Sequence, residues 1–187
     1  MNEEIRGWRF LEIHESSPGG ISSDFIREKA RDYLPTQYYP EVSTGSIFNG
    51  TRCENLEKMT FDDNCFDLII TQDVLEHVLS PEKAFSEIAR TLKVGGTHLF
   101  TVPFYKGRKT RIRARQKSAG IEYLEEPDYH VNPINSEGAL VIREWGDDLF
   151  DFIEETSGLQ TEIFSFSDKE YGLEGEFLDV FVSRKIR

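Results

Sequence analysis

The chain has 187 residues and a formal net charge of −12. That acidity argues against general binding to nucleic acid or to an anionic membrane surface, both of which need a cationic face. No apolar run approaches the ~20 residues of a membrane span, and Glu3, Glu4, Arg6 and Arg9 break up any leader-like core at the start.

Two cysteines, Cys53 and Cys65, with no CxxC, fit a reduced, cytoplasmic protein without a disulfide framework. The length suits one domain, 1–187, burying roughly two-thirds of its chain surface. Trp8 to Ile13 reads as the first strand. Gly19 and Gly20 fall in the turn after it, Ser22 or Ser23 can cap a helix reaching Leu34, and Pro35 stops that helix. Thr36 to Tyr39 is a short second strand, 43–50 is turn-rich, and Arg52-Cys53 sits on a weak third strand.

The run Phe66, Leu68, Ile69, Ile70 is apolar without alternation, as a parallel strand buried on both faces requires. Ser80 can cap the next helix and Pro81 fits its first position. Ala84, Phe85, Ile88, Ala89 and Leu92 give it one apolar face. Gly95-Gly96 marks a turn, and Thr97 to Val102 the next strand. A long polar segment follows, 104–146, which a compact domain keeps for function or leaves disordered. Asp147 to Thr156 is an amphipathic helix closed by Gly158. Leu159 to Phe166 and Phe177 to Val182 are strands, antiparallel because about ten residues are too few for a helical crossover.

The stretch from Phe61 to Pro103 carries an ordered motif. Phe61, Asp62, Cys65, Phe66 and Asp67 precede the apolar strand, and Val74-Leu75-Glu76-His77-Val78 follow it. Glu87, Arg90, Leu92, Lys93, Gly95, Gly96, Val102 and Pro103 complete it. This pattern resembles the class I S-adenosyl-L-methionine (SAM)-dependent methyltransferases, in the branch that usually acts on small molecules. The resemblance implies an α/β fold: a three-layer, Rossmann-like sheet, mostly parallel with an antiparallel last strand. It also implies helices ahead of the first strand. That strand starts about eight residues from Met1, so those helices are expected to be lacking or to belong to a longer protein.

SAM presents an adenine, a ribose diol, a sulfonium cation and an amino acid, and its binding sites lie beyond strand carboxyl ends. By resemblance, the first contact loop runs from Leu11 to Gly20. Glu12 takes its acidic position, and His14, Ser16 and Pro18 take the positions usual for glycine. Gly19 is expected to restore the turn. Gln37 falls at the ribose acid, with Tyr38 as an adenine stacking partner. Asn55 and Leu56 fall at the adenine edge, and Gln72 and His77 near the methionine end.

On the acceptor side, Lys106 to Lys117 holds seven cations and no acid. It reads either as a clamp for an anionic small molecule or as a solvated loop balanced by Glu122, Glu125, Glu126 and Asp128. Arg113-Ala114-Arg115, Pro127-Asp128-Tyr129-His130-Val131-Asn132-Pro133 and Arg143-Glu144-Trp145-Gly146-Asp147-Asp148 resemble a subgroup found beside carbohydrate-assembly genes. This places a catalytic pair above the methyl group: His130 as proton acceptor and Tyr129 to orient it.

The function expected is therefore methyl transfer from SAM to an oxygen or nitrogen of a small, perhaps saccharide-linked, molecule. A methyltransferase-like fold kept as a binding scaffold is the alternative, motivated by His14, Ser16, Pro18 and Gln37. A dinucleotide oxidoreductase is disfavoured, since no G-x-G-x-x-G follows the first strand. No metal site is expected either: His14, His77, His98 and His130 show no ligand spacing with the cysteines. The oligomeric state is not legible.

Overall fold

A computed structural model of the chain describes residues 5–118, 120–131, 137–166 and 174–187. In chain order, β1 (Glu12–Ser16), α1 (Gly20–Lys29) and β2 (Asp32–Gln37) come first, then the hairpin β3 (Ile47–Phe48) and β4 (Thr51–Cys53). They are followed by β5 (Phe66–Gln72), α2 (Pro81–Thr91) and β6 (Leu92–Thr101). The insertion adds β7 (Arg111–Ile112), β8 (Ala114–Lys117), β9 (Gly120–Tyr123), β10 (Tyr129–His130), β11 (Ala139–Leu140) and β12 (Arg143–Glu144). Helix α3 (Leu149–Ser157), β13 (Gln160–Ser165) and β14 (Asp179–Arg184) close the chain.

One sheet of eight strands organises these elements, in the order β13-β14-β6-β5-β1-β2-β4-β3. Strands β4, β2, β1, β5 and β6 run parallel. Strand β14 is antiparallel to both β6 and β13, and β3 is antiparallel to β4. The strand order reverses between β1 and β5, the switch point at which open α/β sheets form their crevice. Helices cover both faces. Ile26 of α1 packs with Trp8, Ile13, Leu68 and Ile70 on one side. On the other, Phe85 and Ile88 of α2 and Leu149 and Ile153 of α3 pack with Ile69, Phe100 and Phe181.

The β5–α2–β6 unit follows its sequence signals. Leu68, Ile69 and Ile70 are buried, and the apolar stripe of α2 faces the core. Ser80 stands at the N-cap but makes no side-chain cap bond. The Glu57 carboxylate instead anchors the turn that enters the helix, accepting the N–H groups of Leu79 and Ser80 at 3.0 and 3.1 Å. Gly95 and Gly96 interrupt β6 rather than precede it. Pairing jumps from Phe66↔Leu92 to Leu68↔Thr97, and Gly95 takes φ 83°.

Three boundaries differ from expectation. Trp8–Phe10 is a 3-10 turn, and the first strand begins only at Glu12 and continues to Ser16. Gly7 at φ 69° turns the chain so that the Trp8 indole is buried beneath β1. Helix α1 ends at Lys29, because Tyr33 and Leu34 are drawn into β2 beside Ile13 and His14. Pro35 therefore lies inside a strand. The Thr36 carbonyl accepts the Ser17 N–H, so Thr36 faces β1 and Pro35 faces away. On that side the pairing with β4 begins only at Thr36, and the missing N–H forfeits no ladder bond.

The 104–146 segment carries three two-stranded ladders, β7 with β12, β8 with β9 and β10 with β11. Among the described residues no helix is long and apolar enough to cross a membrane.

Candidate active site

A cavity of about 650 Å³ opens at the strand tips around the switch point. Ser16, Ser17 and Gly19 bound it after β1, Gln37, Tyr38 and Pro40 after β2, and Glu54 to Glu57 after β4. Gln72, Asp73, Val74, His77, Val78 and Leu79 bound it after β5. Val131 and Ala139, from the insertion, close the His77 side. The volume falls in the range of small-ligand sites, roughly 300–1,000 Å³. Glu54, Glu57 and Asp73 are on the wall, and among the described residues no lysine or arginine is. Such a wall favours a cationic or neutral ligand over one bearing phosphates.

The turn after β1 shows how a glycine-poor entrance stays open. Ser17 adopts φ 55° and Gly19 begins α1 in extended geometry. The side chains behind the wall bond to one another. The buried Glu15 carboxylate accepts the Ser23 hydroxyl at 2.7 Å, the Tyr33 hydroxyl at 2.6 Å and the Gln72 amide at 2.7 Å. Burial, and then this bond to Glu15, raise the Tyr33 hydroxyl well above its ordinary range. The Gln37 amide donates to Ser17 Oγ at 3.2 Å, and Asn55 Oδ1 accepts the Glu57 N–H at 2.8 Å. Desolvation also raises the Tyr38 hydroxyl.

Of the residues expected at a cofactor, Ser16, Gly19, Gln37, Tyr38, Asn55, Leu56, Gln72 and His77 line the cavity. Glu12 and His14 do not. The strand starts later than the sequence pattern suggested, so Glu12 sits at its amino end, away from the tips. There it pairs with Lys93, and its N–H bonds Asp67. His14 is inside the sheet, wholly buried, with Nε2 bonded to Thr36 Oγ1 at 2.9 Å and its ring stacked on Phe66. Burial, reinforced by Arg52, pushes its pKa down to about 3.

The acceptor-side residues divide similarly. Asn132 and Pro133 lie outside the described residues. Tyr129 does not orient His130: it is on the opposite face of β10, and its hydroxyl interacts with Tyr123. His130 instead points to Glu76, with Nδ1 3.5 Å from Glu76 Oε1. That carboxylate holds the His130 imidazolium above its usual range. His77 Nε2 is 3.6 Å from the same oxygen, while His77 Nδ1 donates to the Leu140 carbonyl at 2.8 Å. Glu76, His77 and His130 thus converge beside the cavity. The sequence motif contained Glu76 but gave no sign that it would be buried between two imidazoles.

The cation-rich run is neutralised from within the insertion and its neighbours. Arg108 and Arg113 pair with Glu144 at 3.1 and 2.7 Å, Arg111 pairs with Glu125, and Arg115 and Lys117 pair with Glu122. Lys106 reaches Asp179 at 2.9 Å. Gly146 passes so close to the backbone of 108–110 that a Cβ would meet the Arg108 carbonyl oxygen at 2.1 Å. Asp147 and Asp148 accept the N–H groups of Gly107 and Thr110. The Arg-Ala-Arg and Arg-Glu-Trp-Gly motifs therefore tie the insertion to itself.

Comparison with known proteins agrees with this geometry. Residues 24–100 match a family model described as a methyltransferase domain. A crystal structure of an S-adenosylmethionine-dependent methyltransferase from Mesorhizobium loti superposes with a TM-score of 0.61 at 16% identity. The match covers 98% of this chain and 95% of that one. Residues 24–100 thus resemble a methyltransferase domain, and the chain has the fold of SAM-dependent methyltransferases. The 1,6-didemethyltoxoflavin-N1-methyltransferase of Burkholderia thailandensis, solved with its substrate and S-adenosylhomocysteine, also gives 0.61, at 12% identity over 96% of this chain and 72% of that one. A shorter match, 43% identical over 42 residues, is to phosphoethanolamine N-methyltransferase 2 of Caenorhabditis elegans; it spans 22% of this chain and 10% of that protein.

Proposed function

We propose that the chain transfers the methyl group of SAM to an oxygen or nitrogen of a small molecule. The observation that carries this reading is the acid-walled cavity at the switch point of a sheet of this fold. In it the adenine packs on Leu56, with Tyr38 at its edge, and Asn55 meets its amino group. The Gln37 amide holds the ribose diol, more weakly than a carboxylate would. The turn Ser16-Ser17 and Gly19 receive the amino acid end through backbone groups. The sulfonium, already activated, needs alignment more than chemistry, and Asp73 and Glu57 favour its charge.

The acceptor enters on the side closed by Val131 and Ala139. Its proton falls to the Glu76–His77–His130 cluster, with His130 as the residue nearest solvent. A toxoflavin precursor and phosphoethanolamine, the small nitrogen compounds named for two similar proteins, support a small-molecule acceptor. The six paired cations of the insertion leave an anionic acceptor without a ready-made clamp, so we favour a neutral hydroxyl or amine compound, saccharide-linked ones included.

Calorimetric titration with S-adenosylhomocysteine tests the reading. Micromolar-range binding is expected, weakened about 3- to 10-fold by Gln37→Ala through one lost hydrogen bond. Absence of any binding heat or melting shift overturns it, and binding without turnover on any acceptor leaves the fold as a scaffold.

A further inference from the structure

The Glu76–His77–His130 cluster is incomplete as the protein alone builds it. Glu76 is 1% exposed, yet neither carboxylate oxygen has a hydrogen-bond partner among the described residues. The two nearest nitrogens, at 3.5 and 3.6 Å, stand beyond the 2.7–3.2 Å usual for N–H···O bonds. His77 shows why. Its Nδ1 hydrogen is committed to the Leu140 carbonyl, so the neutral ring turns the lone pair of Nε2 toward the carboxylate. A lone pair and a carboxylate oxygen that face each other repel unless something positive stands between them.

We propose that Glu76, His77 and His130 hold a divalent cation. One ligand atom from each of the three residues lies within 4.8 Å of the other two. Bonds of 2.0–2.1 Å in a tetrahedral zinc site separate neighbouring ligand atoms by about 3.3–3.4 Å. The oxygen–nitrogen separations of 3.5 and 3.6 Å are within 0.3 Å of that edge. The hydrogen bond from His77 Nδ1 to a backbone carbonyl is the usual device for fixing a ligating imidazole. Two nitrogens and one oxygen are a borderline donor set, suited to Zn²⁺ and its first-row neighbours rather than to Mg²⁺. Three protein ligands leave one position open, the arrangement of catalytic rather than structural sites.

That open position adjoins His77, which is itself on the cavity wall. A bound cation there takes the acceptor's oxygen as fourth ligand and lowers the pKa of its hydroxyl. This last step rests on the methyl-transfer reading; the cation site does not. The histidines adjoin no metal-binding motif because two ligands are consecutive in sequence and the third arrives from the insertion, 53 residues on.

Chelator-stripped protein titrated with Zn²⁺, and separately with Co²⁺ followed by visible absorption, reads the site directly. One equivalent is expected, with Co²⁺ giving the intense bands of a low-coordinate site. His77→Ala and His130→Ala should each weaken binding at least 100-fold, and Glu76→Gln about 10- to 100-fold. Wild-type binding no tighter than that of the His77→Ala/His130→Ala double variant overturns the inference. So does a site that prefers Mg²⁺. Urea denaturation of the same samples checks that the variants fold, and the wild type is titrated with S-adenosylhomocysteine in parallel. A wild type that binds the nucleoside but no cation removes this inference alone; one that binds the cation but no nucleoside removes the methyl-transfer reading alone.

Discussion

Two carboxylates stand near the tips of adjacent strands, equally hidden from solvent, and the chain surrounds them in opposite ways. Glu15, at the end of β1, is 0% exposed and has three donors from α1, β2 and β5. Glu76, just beyond β5, is 1% exposed and faces two imidazoles at distances too long for hydrogen bonds. Burying a carboxylate costs several kcal/mol unless it is paired or bonded. Glu15 meets that requirement within the protein, so it reads as a brace for the cofactor-side wall. Glu76 has no hydrogen bond among the described residues and relies on a positive charge opposite it, the His130 imidazolium or a bound cation, so it reads as part of a working site.

Removing the brace gives the largest effect. Glu15→Ala strands the Ser23 and Tyr33 hydroxyls and the Gln72 amide together, and breaking a buried charged network by one partner costs about 3–5 kcal/mol. Urea denaturation should show a midpoint lowered accordingly. An unchanged midpoint would mean that these bonds are replaced by water and that the two carboxylates are not different in kind.

The same contrast divides the histidines. His14 and His98 are wholly buried in the sheet, each bonded through Nε2 to a threonine, Thr36 and Thr71. Burial drives both pKa values from an ordinary 6.5 to about 3. They fold neutral, so their contribution is complete above pH 6.5 and declines as the pH falls toward 3. Near about pH 4.5 each forfeits on the order of 2–3 kcal/mol. Denaturant midpoints measured down this range should fall steeply. A flat profile between neutrality and that pH would show that protons reach these rings without unfolding the sheet.

How far the sequence foretold these differences depends on whether the cause is local. The β5–α2–β6 unit was legible because an apolar run, a proline at the helix start and a stripe at helical spacing are all short-range. The start of β1 was misplaced by four residues because Trp8 looks like a strand residue until Gly7 turns it under the sheet. Pro35 was read as a stop because nothing nearby says that its missing N–H would face an unpaired edge. Gln37, Asn55 and Gln72 were reached through the family resemblance and do lie on the cavity. Glu12 and His14, taken from the same resemblance, lie instead at the amino end of β1 and inside the sheet. Glu15 takes its partners from 8 to 57 residues away, and the His130 that flanks Glu76 lies on a distant hairpin, 54 residues on. Composition and spacing carry no trace of either.

The smallest effect is the sharpest test of the comparison, because its sign is opposite. In chelator and at alkaline pH, Glu76→Gln removes a charge that nothing then compensates, while keeping the shape of the side chain. The variant should be as stable as the wild type or more so, by roughly 1–2 kcal/mol, since replacing a buried charge that lacks a partner is neutral to favourable. Added Zn²⁺ should reverse the order, raising the wild-type midpoint more than the variant's, as binding to the folded state alone requires. Glu15→Gln under the same conditions should lose stability in both buffers. If Glu76→Gln is instead destabilised in chelator, its carboxylate has partners that the protein supplies itself, and Glu76 becomes a second brace rather than a vacancy in the wall.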